Sequence, residues 1–182
     1  NAVFITDISI NNELAMAIDR YAVEDLWHLF DHHVTAFGLN KYDWCEVNVM
    51  NDTLGIKTSG TELLYTYLRN HERFDHLSAN TITNIDRVVD IIRDYDTWRW
   101  KELGEEGIVY KQVNDLFYIY GGEKFIKWAL DQILTLKLYR GISVLPIFSD
   151  LDTALLDQKQ KDIDIYVEQK NKQLFTQLDS FG

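Results

Sequence analysis

Leu26-Trp27-His28-Leu29-Phe30, followed at once by Asp31-His32-His33, is the stretch that decides the fold. The apolar run predicts a strand, and a carboxylate with two imidazoles stands where that strand ends. Upstream, Val3-Phe4-Ile5-Thr6 is a second apolar and β-branched run, and it stops at Asp7. Continuous runs of this kind suit parallel strands covered on both faces. Between them, Asn11 or Asn12 can cap a short helix with Glu13 in its first turn, and Leu14, Ala17, Ile18 and Tyr21 are expected on one face. Strand, helix, strand is the βαβ unit of a parallel sheet. In open sheets of this type ligands bind beyond the carboxyl ends of the strands. Asp7 and the triplet are therefore expected to share one crevice.

Further along, Trp44 to Met50 alternates as a third strand, and Asn51-Asp52 with Gly55 marks a turn. Ser59-Gly60-Thr61 opens a helix carrying Leu63, Leu64, Tyr67 and Leu68. Ile85, Val88, Val89, Ile92 and Tyr95 keep helical spacing over 84–99, and Gly104 and Gly107 break the pattern. Helices are then predicted over Asn114 to Tyr120, Glu123 to Tyr139 and about Ser149 to Asp179. The single Pro agrees with long helices in the second half. The expected architecture is α/β, a mostly parallel, Rossmann-like sheet flanked by helices. It is placed in residues 1–140, and 141–182 are read as a helical segment leading to a further domain.

The sequence has 182 residues, 46% of them hydrophobic, enough for a packed core. Its formal net charge of -11 argues against a protein that grips long duplex nucleic acid through the phosphates. A nuclease acting on short pieces is compatible with that charge, because a bound cation attracts phosphate locally. Cys45 stands alone, so no intramolecular disulfide and no cysteine zinc cluster is possible, and it is expected as a small apolar strand residue. No apolar run reaches membrane-spanning length and no segment has a signal peptide's order, so the expected compartment is the cytoplasm. The sequence opens on Asn1 and closes on Ser180-Phe181-Gly182 directly after a helical stretch, and is expected to be a piece of a longer protein.

A carboxylate at one strand end, with a carboxylate and imidazoles at the next, offers mixed oxygen and nitrogen ligands. Such a set suits Mn²⁺, Fe²⁺ or Zn²⁺ better than Ca²⁺. A carboxylate can also bridge two metals about 3.5 to 4 Å apart, a geometry that serves phosphoryl chemistry. A third contributor is expected from the helix end at Arg93 to Trp100, where either Asp94 or Asp96 could serve. Trp98 and Trp100 could stack nucleobases, although such residues more often belong to a core. The N–H groups at Ser59-Gly60-Thr61 could cradle a phosphate. His71 and His76 lack the i, i+4 spacing of a helical metal pair and read as a solvated face, and His28 is expected to face away from the site.

Val3 to Asp7, Asp31-His32-His33 and Asp94-Tyr95-Asp96-Thr97-Trp98, taken together, resemble the DHH phosphoesterase superfamily. Leu29 to Ala36 with Leu39-Asn40, the Gly60-Thr61 helix start and Tyr95 to Trp98 are most similar to its bacterial oligoribonuclease, or nanoRNase-like, branch. The resemblance covers about residues 2–100. It implies that Asp7 bridges two metals, that His32 and Asp96 are metal ligands, and that His33 contacts the scissile phosphate while Asp31 orients the histidines. Gly60 and Thr61 would contact substrate. The family's first motif, a His with two Asp after an earlier strand, and its second domain with a glycine-rich stretch are not found in this sequence.

The resemblance thus implies a phosphodiester hydrolase of short single-stranded RNA that uses two Mn²⁺, with Mg²⁺ or another divalent ion as the alternative. The isolated chain is expected to be inactive. Related alternatives are hydrolysis of cyclic dinucleotides, 3′-phosphoadenosine phosphate or pyrophosphate, and from another class a non-catalytic α/β binding domain. No membrane partner is expected, and a homodimer is left open.

Overall fold

The computed structural model describes residues 2–21 and 26–179. Strand β1 (Val3–Thr6), helix α1 (Asn12–Asp19) and strand β2 (Trp27–Asp31) form the expected βαβ unit, and β3 (Cys45–Val47) completes a parallel sheet of order β1-β2-β3. Thr6 pairs with Phe30, and Asp31 with Val47. The ladder continues one step past β1, where Asp7 N donates to Phe30 O at 2.9 Å. Asp7 therefore leaves the sheet level with the end of β2, beside Asp31 and His32. The α/β class, the parallel sheet with flanking helices and the C-terminal helix are as the sequence predicts.

Asn11 caps α1 by accepting from Leu14 N at 2.8 Å. The buried face differs from the expected one. Ala15 is fully buried and Ile18 partly so, whereas Leu14 and Tyr21 are exposed. A two-turn helix that lies on a sheet through an alanine approaches closely, so its larger apolar residues are left outside. Ala15 packs with Leu29, Ala36, Leu39 and Val47 into the first core, Ala36 and Leu39 coming from a 3-10 helix over Val34–Lys41.

β3 is shorter than the predicted strand, because its outer edge is closed by a side chain. Asn40 accepts from Val47 N at 2.7 Å and donates to Val47 O at 2.8 Å, standing in for the next strand. The chain then turns into the antiparallel hairpin β4 (Met50–Asn51) and β5 (Ile56–Lys57), whose turn falls where Asn51, Asp52 and Gly55 predict it. Cys45 is half-buried within β3, and burial pushes its thiol up to about 12.

Helix α2 (Gly60–Asn70) begins after Ser59, whose hydroxyl accepts from Glu62 N. Helix α3 runs over Ala79–Asp96, capped by Ser78, so it starts five residues before the predicted 84 and stops short of 99. After a 3-10 turn (Arg99–Glu102), α4 spans Glu105–Tyr120. Gly107 therefore sits inside α4 rather than breaking a helix. Its hydrogen faces the carbonyl of Trp100, where a Cβ would lie 1.8 Å from the oxygen.

Helix α5 (Gly122–Thr135) ends earlier than the predicted Tyr139, which instead bridges Ile142. The second core joins Ile91, Tyr110 and Val113 with Trp100, Phe125, Trp128 and Phe148. Helix α6 (Asp150–Asp179) starts in a reciprocal cap. Ser149 Oγ accepts from Asp152 N at 3.1 Å, and Asp152 Oδ2 accepts from Ser149 N at 2.7 Å. Leu156 and a Lys159–Asp115 ion pair seat its first turns on α4, while residues 161–173 are exposed. Among the described residues no helix is long and apolar enough to cross a membrane.

Candidate metal and phosphate site

Three strand or helix ends converge at the carboxyl edge of the sheet. Asp7 follows β1, His32 follows β2, and Asp96 closes α3. His32 Nε2 lies 3.0 Å from Asp7 Oδ1 and 3.1 Å from Asp96 Oδ2. These distances are those of hydrogen bonds, yet the nitrogen is buried and neither oxygen is aligned with its N–H. Hydrogen-bond-range contact with Asp7, then with Asp96, overcomes burial and holds the metal-free imidazole protonated, its pKa pushed up to about 10.

Asp31 is fully buried and serves the neighbouring histidine. It accepts from Ser9 Oγ at 2.7 Å, His32 N at 2.8 Å and His33 N at 3.2 Å, and meets His33 Nδ1 at 2.6 Å. Burial pushes this carboxyl up, but the Ser9 and His33 donors together with the two backbone N–H groups outweigh it and hold the pKa below the usual range. An ionised carboxylate only accepts, so His33 Nδ1 carries the hydrogen and Nε2 is left for another group. The His33 ring is half exposed and sits 4.4 Å, centroid to centroid, from His32. Asp7, His32 and His33 each offer a ligand atom within 4.8 Å of the others.

The sequence offers two candidates at the end of α3, and they meet different partners. Asp94 is buried and committed to arginines, with Arg93 Nε at 2.9 Å and Arg99 NH1 at 2.6 Å. Asp96 instead faces His32. Arg93 is also buried and reaches Glu62 at 3.2 Å and Asp90 at 2.7 Å, while Glu62 accepts from Thr58 at 2.6 Å and Asn51 at 3.0 Å. This network ties the hairpin, the start of α2 and the end of α3 together. It sets where Asp96 stands.

Gly60 adjoins the cluster from behind, because a Cβ there would lie 2.8 Å from Asp7 N. Asp7 itself adopts φ 58, and the missing Cβ at residue 60 gives that turn its room. The N–H groups of Gly60 and Thr61 precede the first helical bond of α2, from Leu63 N to Ser59 O, and so have no intrahelical acceptor. The two tryptophans part company. Trp100 is half-buried and stacks on Tyr95, whereas Trp98 is exposed. His28 stacks between Phe4 and Phe30 with Nε2 3.1 Å from Tyr67 OH, and His71 lies on the Tyr67 ring. Sequence reasoning missed Ser9 and the Glu62–Arg93 pair. Only Ser9, two residues past Asp7, carried a local signal.

No family model matches the chain, and no solved structure matches it. Over 175 residues it is 30% identical to the oligoribonuclease NrnB of Bacillus subtilis (strain 168), a match that takes in 96% of this chain. The chain spans 40% of that curated relative's length.

Proposed function

We propose that this chain is part of a metal-dependent phosphodiesterase of the DHH superfamily that hydrolyses short single-stranded RNA. The observation that carries the reading is the convergence of Asp7, His32 and Asp96 around one buried nitrogen that has no aligned hydrogen bond. Two carboxylate oxygens and an imidazole form the mixed donor set that suits Mn²⁺. In this reading Asp7, His32 and Asp96 would hold the metal. When bound, such ions supply charge neutralisation at a phosphate ester and a lowered pKa for water.

The chain's own residues do the rest. The buried Asp31 carboxylate fixes the His33 ring through Nδ1, and Nε2 meets a phosphate oxygen, donating to it when the ring is protonated. The N–H groups of Gly60 and Thr61, which have no intrahelical acceptor at the start of α2, would favour an anion there. The oligoribonuclease relative supports short RNA as the substrate, and since the chain matches 40% of that protein, catalysis is assigned to the whole. The same reading takes residues 1–140 as the catalytic unit and the segment from 141 on, with α6 as its helix, as a connection.

Calorimetric Mn²⁺ titration of the wild type and His32→Ala, together with dinucleotide hydrolysis by the longer protein bearing the same change, tests this. The variant is expected to lose most of its Mn²⁺ affinity and its turnover. Equal Mn²⁺ binding by the two proteins would sink the reading.

A further inference from the structure

Trp98 is a residue that stability does not explain. It follows the C-terminus of α3 with φ 67, in the left-handed region where glycine is favoured and a bulky aromatic is strained. Burial does not offset that strain, because Trp98 is 64% exposed. Trp100 makes the contrast, since it stacks on Tyr95 and packs into the second core. The fold would be served as well by glycine at 98. Strain without burial points to function.

Its surroundings name the ligand. Trp98 lies two residues beyond Asp96, at most about 7 Å away along the chain. Lys101 places its ammonium 4.2 Å from the indole centroid. An exposed ring for a base beside a cation for a phosphate is the pairing used by single-strand sites.

We propose that Trp98 and Lys101 form a stacking platform for the nucleobase adjoining the bound phosphate, with Lys101 on one face of the indole and the base on the other. The proposal rests on the phosphodiesterase reading above and refines it. Every base has a π face, so the platform recognises a nucleotide without choosing its sequence.

The test uses the 182-residue chain with Mn²⁺, a phosphonate-linked diadenosine dinucleotide that cannot be hydrolysed, and an abasic analogue of equal charge. Trp98→Gly is expected to weaken dinucleotide binding about tenfold or more, with Trp98→Phe recovering most of it. Abasic binding and Mn²⁺ affinity stay unchanged, and the melting temperature of Trp98→Gly does not fall. Undiminished dinucleotide binding by Trp98→Gly, with Mn²⁺ affinity intact, overturns the platform and leaves the phosphodiesterase reading standing. Equal weakening toward both ligands, or a lowered melting temperature, assigns Trp98 a structural role and also overturns it. A wild type that binds Mn²⁺ but no dinucleotide refutes the platform alone, whereas one that binds neither refutes both readings.

Discussion

Gly60 and Asp7 touch backbone to backbone, at a separation no side chain can enter. A methyl group at 60 would lie 2.8 Å from Asp7 N and 3.0 Å from Asp7 Cβ, so Gly60→Ala must move the turn after β1 or the start of α2. Overpacking of this kind costs about 1–3 kcal/mol. Because the displaced residue is Asp7, Mn²⁺ affinity is expected to fall about tenfold as well, in the range seen when support behind a ligand is lost. Thermal melts and calorimetric titration of the variant measure the two effects separately.

Gly107→Ala makes the matched control. Its Cβ would lie 1.8 Å from the Trp100 carbonyl oxygen, in the packing of α4 on the second core. A loss of about 3 kcal/mol is expected. Mn²⁺ affinity of the folded fraction should not change, and a fall comparable to that of Gly60→Ala would show that the two effects are not separable.

Asp94 and Asp96 are expected to part in opposite directions. Asp94→Asn removes the charge and one of the two acceptor oxygens that meet Arg93 and Arg99, the first of these buried, and should cost about 3 kcal/mol in denaturant unfolding. Asp96→Asn leaves that network in place and removes one of the two carboxylates beside His32, so without metal it should cost less stability than Asp94→Asn while reducing Mn²⁺ binding. Reversal of the pattern would return Asp94 to the candidate ligands.

The two ends of β1 and β2 were legible because apolar runs in a parallel sheet terminate at one level, which brings Asp7 and the Asp31 triplet together before any long-range contact is known. Helix boundaries were less so. The start of α3 was missed because Asn80, Thr81 and Thr83 are polar and only Ile82, three residues before Ile85, continues the apolar spacing there; the Ser78 cap was the other available signal. Gly107 misled because a glycine that makes room for a neighbouring carbonyl looks, in sequence, like one that ends a helix. β3 came out short because Asn40, seven residues before Val47, takes the place of a neighbouring strand. Glu62 and Arg93 were silent for a similar reason. Their pairing joins segments thirty-one residues apart, and nothing local marks either as buried.

Asp152 gives a pH prediction away from the site. Burial pushes its carboxyl up, but bonds from Tyr120, Ser149 and Trp128 outweigh that and hold it below the ordinary value of 3.8. With the native pKa depressed, the stabilisation is complete above about pH 4 and is lost as pH falls through the native value. The cap is worth about 1–2 kcal/mol. The difference in unfolding free energy between wild type and Asp152→Asn should therefore be constant at neutral pH and shrink below pH 4, as read by urea titrations across that range. A difference that grows on acidification would reverse the assignment.

The three proposed ligands belong to segments that meet only when α3 has docked on the sheet. An ion held by Asp7, His32 and Asp96 binds the native arrangement and not the open chain, so occupancy and docking form one linked equilibrium. At a free Mn²⁺ concentration one hundred times the dissociation constant, that linkage is worth about 2.7 kcal/mol. A chelator would then act as a mild, local denaturant. Amide exchange at the last turn of α3 would register it long before the cores loosen.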